Sequence, residues 1–391
     1  MVQQASGTGI IGQADSQVKI NWDDSDVSTT PANVFNVTGT REEIVFLFGQ
    51  NRMSDERREA VQLTNRIVLS PFTAKRLLIQ LKTALRDYAS KYGPVGAEAQ
   101  SPADLTLTRK PSSPATDKNF RAANFLFRQI QDLGVVFDFE RSFKITHQKL
   151  LRDRFLLFLD KQDLAEKSPE QILGICQRLG MPHDFRSVFE ERLPQANPID
   201  FGFEADEQTC TYKIYLDFLA NWKAQGDSAA DKSQPYLMFL GFKWNPADNT
   251  KKALTKYTWY PSLAYEAIEK RISTIFGNEK HGQALEITNA LLKVIANRVG
   301  CDQVYYLDVT EARNPRRSFD LNAYSANLTL QELYPILMKM CRYYEVALPV
   351  FDDLYKQVET RVFGHVSGGI GRDGQDFLTV YFGLEPIVPQ K

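Results

Sequence analysis

The order of hydrophobic and polar positions divides the chain into a small N-terminal region and a longer C-terminal one. Residues 19–48 and 60–69 alternate in hydrophobicity and are rich in β-forming residues, which predicts strands on both sides of a polar loop at 49–59. Residues 1–18 are rich in Gly, Ser and Gln and predict a disordered tail. We therefore expect a small α+β domain over 19–93.

A helix is predicted at the end of this domain, followed by a linker. Ser70 and Pro71 are typical of an N-cap and a first helical residue, and Gly93 with Pro94 predicts the helix end. Residues 94–117 hold four prolines among Ser, Ala and Thr. That composition is typical of an extended linker.

From residue 118 to 391, helices alternate with paired strands. Four strand pairs are predicted from alternating segments, at 199–205 with 211–218, 236–244 with 253–260, 303–310 with 318–325, and 361–368 with 376–382. Helices are predicted at about 119–133, 168–180, 262–276, 281–299, 329–344 and 350–358, and a segment at about 147–160 is apolar on one side. Because successive hairpins can close and remove exposed edges, we predict an antiparallel β-barrel surrounded by helices.

Polar side chains share one predicted face of these strands. They are Lys213, Tyr215 and Asp217; Lys256, Thr258 and Tyr260; Tyr306 and Asp308; and Thr379 and Tyr381. Apolar neighbours such as Ile214 and Leu216 would face the helices, so the polar face would line the lumen. Ammonium and hydroxyl groups suit an anion such as a diphosphate, and Tyr rings can shield a carbocation. The pattern alone leaves open an ordinary solvent-facing sheet.

Charge and composition exclude some classes of function. Lys and Arg number 47 against 48 Asp and Glu, a net charge of −1, which argues against a nucleic-acid coat or a polybasic membrane anchor. The apolar runs are far shorter than the ~20 residues of a membrane helix. The start of the chain lacks the basic and apolar regions of a signal peptide, and the four Cys show no CxxC pair. We therefore expect a cytoplasmic protein that binds neither nucleic acid nor membrane.

One glycine pattern matches a dinucleotide-binding motif by its letters alone. Residues 369–374 fit GxGxxG, but residues 376–382 continue as a strand, whereas a dinucleotide site needs a helix there. This pattern predicts a hairpin turn.

A segment at 139–159 carries a resemblance to a known family. It contains Glu140, Ser142, Lys144-Ile145, Lys149-Leu150 and Arg154-Phe155-Leu156-Leu157-Phe158. Weaker matches to later motifs of the same family follow in the same order, up to the Val380-Tyr381 strand. Over about 118–384 the chain resembles the cyanobactin peptide prenyltransferases, a bacterial branch of the ABBA-barrel aromatic prenyltransferases. These enzymes modify ribosomally made peptides.

The resemblance implies a reaction in the barrel lumen. An isoprenyl group moves from an allylic diphosphate, such as dimethylallyl diphosphate, to a peptide or small aromatic acceptor. The resemblance also implies Mg²⁺ held through the diphosphate, with no metal ligands in the protein.

The resemblance assigns roles to individual residues. Glu140 matches the carboxylate that takes the acceptor's proton, although the residue alone also fits a surface Glu. The implied diphosphate contacts are Arg154, Lys213, Tyr215 and Lys256, and the implied cation-shielding tyrosines are Tyr260, Tyr306 and Tyr381.

The N-terminal region has a separate resemblance. Through Asn21-Trp22-Asp23-Asp24-Ser25, Phe46-Leu47-Phe48-Gly49 and Arg66-Ile67-Val68-Leu69-Ser70-Pro71-Phe72, residues 19–93 resemble a small uncharacterised bacterial domain family. We expect a docking or dimerisation module with an unknown protein partner. Two alternatives to the enzyme remain: a barrel without turnover that holds a hydrophobic or peptide ligand, and an assembly protein that acts through the 19–93 module.

Overall fold

The computed structural model describes most of the C-terminal region and part of the N-terminal one. The described residues are 25, 27–40, 42–52, 60–74, 76, 77, 80, 81, 84, 114–164, 168–206, 208–224, 234–261, 263–277, 279–312 and 314–389. They form two compact units, with the division after Ala84. The predicted tail at 1–18 and residues 94–113 of the predicted linker lie outside the described residues, and the last four residues of that linker are helical.

The first unit contains a three-stranded antiparallel sheet. Its strands are β1 (Val34–Gly39), β2 (Ile44–Arg52) and β3 (Ala60–Leu69), in the order β1-β2-β3. A helical segment starts at Pro71, where the Ser70 hydroxyl accepts a hydrogen bond from the Thr73 N–H at 3.2 Å. The predicted N-cap at Ser70 is therefore confirmed, because its oxygen satisfies one of the first free N–H groups of the helix.

The second unit is built on a closed barrel of ten antiparallel strands. In chain order the strands are β4 (Phe137–Thr146), the short β5 (Lys149–Leu151), β6 (Arg154–Leu159), β7 (Ile199–Ala205), β8 (Cys210–Asp217), β9 (Tyr236–Asn245), β10 (Asp248–Trp259), β11 (Tyr305–Glu311), β12 (Asn314–Asn322), β13 (Phe363–Ile370) and β14 (Asp376–Ile387). Neighbours along the chain pair with each other, β6 pairs with β4, and β14 pairs with β4 to close the ring, while β5 extends one end of β4. The predicted antiparallel barrel is confirmed.

Helices other than the short α4 cover the outer surface of the barrel wall. The helices are α1 (Pro114–Gln131), α2 (Ser168–Arg178), α3 (His183–Arg192), α4 (Leu219–Ala224), α5 (Tyr265–Phe276), α6 (Gly282–Arg298), α7 (Tyr334–Tyr343) and α8 (Leu348–Val358). α4 packs through Leu219 and Trp222 against Met238, Trp259 and Leu307. One hydrophobic core joins α1–α3 to outward side chains such as Phe201 and Ile214, and another joins α5–α8 to side chains such as Phe319 and Val380. Since these apolar side chains point outward, the alternate positions of the same strands point into the lumen.

Four hairpins lie at the predicted places, and a fifth strand pair was missed. β4 and β6 were not predicted as strands. β6 is apolar at every position after Arg154 and shows no alternation, whereas in β4 Phe137, Phe139, Phe143 and Ile145 alternate with polar residues, a strand signal that was overlooked. Helix α3 was also missed, since only Phe185 and Phe189 of its ten residues are buried and they form a weak stripe. The turn predicted within 369–374 is confirmed: β13 and β14 pair on both sides of it.

Candidate functional site

The lumen of the barrel contains a cavity of about 440 Å³. Its walls are inward side chains of the barrel strands, and its mouth is formed by exposed residues of two hairpins, Lys251, Arg372 and Asp373. The volume lies in the ~300–1,000 Å³ range of small-ligand pockets. Glycine positions keep part of this space open: a Cβ at Gly202 would lie 3.1 Å from the Cβ of Lys213.

The cavity wall is strongly basic. The cationic residues that line it are Lys144, Arg154, Lys213, Lys243, Lys251, Lys252 and Arg372. Arg154 and Lys213 lie on β6 and β8, with Glu204 of β7 between them. Arg154 Nη1 and Lys213 Nζ both donate to Glu204 Oε2, the latter at 2.5 Å. One carboxylate thus fixes two buried cations side by side.

Burial and mutual repulsion set the charges in this group. Burial lowers the pKa of Lys213 well below its usual value, and Arg154 and Lys243 lower it further. Burial would raise the pKa of Glu204, but Arg154 and Lys213 outweigh it and hold that pKa well below the usual range. Glu204 is therefore ionised, and an added anion would favour the charged form of Lys213.

Tyrosine rings line the cavity next to the cations. They are Tyr215, Tyr257 and Tyr381, and the edge-to-face pair of Tyr215 and Tyr257 has ring centroids 5.7 Å apart. Lys243 Nζ donates to the Tyr257 hydroxyl at 3.3 Å. Burial raises the pKa of Tyr215, with the neighbouring tyrosines adding to the shift, so its hydroxyl stays neutral. The site thus joins a basic region to an aromatic one.

Glu140 lies on the lumen face of β4 but does not line the cavity. Its side chain is fully buried; Oε1 accepts a hydrogen bond from the Tyr324 hydroxyl, and Oε2 accepts one from His365 Nε2 at 3.2 Å. On its other side His365 Nδ1 donates to both carboxylate oxygens of Asp320, at 3.0 and 2.9 Å. Burial acts to lower the pKa of His365, but Asp320 and Glu140 outweigh it and raise that pKa well above the usual value. His365 is therefore an imidazolium between two carboxylates.

The structure brings together only some of the residues that the sequence assigned to the site. Arg154, Lys213, Tyr215 and Tyr381 line the cavity, whereas Glu140 lies behind its wall. The role of each in binding or catalysis stays a prediction.

Three other predicted positions point away from the lumen. Lys256 is exposed on the outer face of β10, because Thr255 and Tyr257 are the inward residues there. Tyr306 is fully buried in the outer core and donates to Asp308 at 2.8 Å, and Tyr260 packs beside it with the Arg271 guanidinium 3.6 Å from its ring centroid. Their predicted placement was wrong because a shift of one residue in an alternating strand reverses the face of every side chain.

Other lumen residues were missed by the sequence analysis. Glu204 and Lys243 stand at inward positions of β7 and β9, and the alternation applied to β8 would have placed both in the lumen. The Asp320–His365 contact joins residues 45 apart on neighbouring strands. No local signal in the sequence indicates that contact.

The described residues contain no group of three or more His, Cys, Asp or Glu side chains arranged to hold a metal ion. Among the helices of the described part of the chain, none is long and apolar enough to cross a membrane.

Comparison with known families gives one match. Residues 3–97 match a family model described as "Protein of unknown function (DUF3467)". This range overlaps the predicted 19–93 domain and brings no known activity. No curated protein matches the chain.

Several solved structures are similar to this chain at low sequence identity. The complex of PriB with its product diphosphate is 11% identical, with a TM-score of 0.46 over 68% of this chain and 90% of that one. AnaPT from Neosartorya fischeri is 14% identical, with a TM-score of 0.43 over 65% and 79% of the two chains. The 6-dimethylallyltryptophan synthase from Micromonospora olivasterospora, solved with DMASPP and Trp, is 12% identical, with a TM-score of 0.42 over 63% and 81%.

Proposed function

We propose that the barrel is a prenyltransferase that binds an allylic diphosphate in its basic cavity and transfers the prenyl group to an aromatic or peptide acceptor. The observation that carries this proposal is the combination of cations and tyrosine rings in one cavity of the barrel lumen. The sequence resemblance over 118–384 supplies the reaction class.

The basic end of the cavity suits the diphosphate. Arg154 offers a planar guanidinium to paired phosphate oxygens, and Lys213 and Lys243 add ammonium groups on the neighbouring strands. These charges stabilise the leaving diphosphate, on which negative charge develops as the C–O bond breaks. A bound diphosphate also favours the protonated form of Lys213, whose pKa is depressed in the free protein.

The aromatic part of the cavity suits the prenyl group. Rings of Tyr215, Tyr257 and Tyr381 present apolar surface to the prenyl tail and π-electron density to an allylic cation. The barrel wall shields the sides of the cavity from water, which would otherwise capture the cation.

Deprotonation of the acceptor would use the carboxylate network that includes Glu140. The resemblance assigns proton acceptance to Glu140, and His365, which donates to both carboxylates, connects that residue to Asp320 on the cavity wall. Mg²⁺ held by the diphosphate stays an expectation from the resemblance, and it would supply further charge neutralisation to the leaving group.

The proposal is tested by calorimetric titration of a non-hydrolysable dimethylallyl diphosphate analogue, with Mg²⁺, into the full chain. We expect micromolar binding by the wild type and its loss in the double variant Arg154→Ala/Lys213→Ala. The control is Arg152→Ala, which removes an arginine that pairs with Asp353 at 2.9 Å and does not line the cavity. Absence of binding by the wild type would contradict the proposal.

A second candidate is a barrel that holds its ligand without turnover. The observation in its favour is the full burial of Glu140, since a proton acceptor must reach the acceptor molecule. It predicts that the barrel binds the diphosphate analogue and that natural dimethylallyl diphosphate is recovered intact after long incubation with any acceptor.

A further inference from the structure

Within the proposed prenyl transfer, we infer that Asp320, not Glu140, takes the proton from the acceptor, and that Glu140 acts through His365 as a positioning residue. This inference rests on the proposed function and specifies the base of that reaction. It starts from the four carboxylates that line the cavity, which are Glu204, Glu311, Asp320 and Asp373.

Three of these carboxylates already hold other partners. Glu204 is held by both Arg154 and Lys213, and its low pKa makes it a weak base. Glu311 accepts a hydrogen bond from Arg372 at the mouth. Asp373 is exposed in the turn, where it accepts the Gln375 N–H at 3.1 Å. Both lie at the mouth, Glu311 through its contact with Arg372 and Asp373 through its position in the turn.

Asp320 has the position that a base requires. It is an inward residue of β12, 8% exposed, and its strand neighbours in the lumen are Leu307 and Ser367. Its partner His365 stacks on the cavity-lining Tyr381, with ring centroids 3.8 Å apart and planes at 12°. The carboxylate therefore lies on the wall that joins the aromatic part of the cavity.

His365 and Glu140 fix this carboxylate from behind. The His365 Nδ1–H points between the two oxygens of Asp320, at 2.9 and 3.0 Å, which leaves the remaining lone pairs directed elsewhere. Glu140 holds the opposite ring nitrogen, and Tyr324 holds Glu140. Gly364 is required here, because a Cβ at that position would lie 2.8 Å from Glu140 Oε1. The arrangement orients an imidazolium toward Asp320, as a second carboxylate orients a histidine in acid–base sites.

The proposed step balances as follows. The C–O bond of the allylic diphosphate breaks and the diphosphate leaves with the electron pair, while the acceptor donates an electron pair to the allylic carbon. The acceptor atom then carries a positive charge, its bond to hydrogen breaks, and the proton moves to an Asp320 oxygen. Because the charged intermediate is a strong acid, a carboxylate paired with an imidazolium is basic enough to accept this proton.

The test compares Asp320→Asn with Glu140→Gln in the full chain. The matched control is Asp308→Asn, which makes the same change on the neighbouring strand at a residue that faces outward and pairs with Arg271 at 2.8 Å. Three quantities are measured for each variant: the Kd of the diphosphate analogue, turnover with Mg²⁺ and dimethylallyl diphosphate, and exchange of a labelled bridging oxygen within that diphosphate. Turnover is followed as the diphosphate released when the prenyl group is transferred to an indole acceptor, and the exchange reports C–O bond breaking without proton removal.

We expect Asp320→Asn to lower kcat by about 10²- to 10⁴-fold, the usual contribution of a general base, while oxygen exchange and Kd stay within about threefold of wild type. Glu140→Gln should lower kcat by about tenfold, because the glutamine still binds His365 and Tyr324.

Turnover in Asp320→Asn within threefold of wild type would overturn the inference, as would loss of activity in Glu140→Gln alone. Loss of oxygen exchange in Asp320→Asn would show that Asp320 stabilises the cation instead of taking the proton. No binding of the analogue by the wild type would overturn the proposed function and the inference together, whereas normal binding and turnover with an unaffected Asp320→Asn would overturn the inference alone.

Discussion

Arg154 and Lys213 should bind the diphosphate in a coupled way, and their double replacement should cost more than the two single replacements combined. The single changes are Arg154→Met and Lys213→Met, which remove charge while retaining an apolar side chain of similar length. In each single variant Glu204 keeps one cationic partner, because both residues donate to the same oxygen. Both single variants should therefore fold.

The magnitude follows from the contacts and the charges. A hydrogen bond to a charged group contributes about 1.5–3 kcal/mol, so each single loss should weaken binding by about 10- to 150-fold. Arg154 also lowers the pKa of Lys213, so Arg154→Met strengthens the positive charge that remains at Lys213. This compensation is absent in the double variant, and we expect a coupling energy of about 0.5–3 kcal/mol.

The assay is calorimetric titration of the diphosphate analogue into wild type, both single variants and the double variant at one pH and ionic strength, with Arg152→Met as the control. Thermal melting of each variant verifies folding. Free-energy losses that add within about 0.5 kcal/mol would refute the coupling. Wild-type affinity in the double variant would refute the assigned location of the diphosphate.

Three further predictions follow from the lumen and its outer face. Lys256→Met should leave the Kd of the analogue within about twofold of wild type in calorimetry, because this exposed side chain lies outside the barrel; a tenfold loss would contradict the strand register. Gly241→Ala should lower the free energy of unfolding by about 1–3 kcal/mol, since the added Cβ would lie 2.9 Å from the Tyr215 ring, and an unchanged melting temperature would argue against that contact. His365 has a raised pKa, so its contribution to stability is complete below its unfolded pKa of about 6.5 and is lost as the pH rises through the higher folded value. The melting difference between wild type and His365→Gln should accordingly be largest near pH 6 and shrink toward pH 10, and a difference that grows with pH would show that the carboxylates do not charge the ring.

The sequence predicts the barrel well where turns and alternation are local signals. The strand pairs β7–β8 and β13–β14 lie within a few residues of the predicted ranges, and the inward face of β8 is the predicted one, since Lys213 and Tyr215 line the cavity. In the first pair, β6 has no such signal because it is apolar at every position after Arg154, whereas β4 does alternate and its signal was overlooked.

The candidate site is less accessible to sequence reasoning because it depends on register and on distant contacts. One residue of register separates the predicted inward residue Lys256 from Tyr257, which lines the cavity. The network that connects Glu140 to Asp320 spans strands at opposite ends of the barrel sequence, and only closure of β14 on β4 brings them together. The partner of the predicted 19–93 module also stays a prediction, because an interaction surface leaves no periodic pattern in the sequence.

The most direct test of the central claim is a crystal structure of the full chain with the non-hydrolysable dimethylallyl diphosphate analogue and Mg²⁺. We predict that the phosphate oxygens lie at hydrogen-bond distance, about 3 Å, from Arg154 and Lys213, with the prenyl tail against Tyr215 and Tyr257. A diphosphate bound outside the barrel, or a prenyl tail directed away from the tyrosines toward the mouth, would contradict the account.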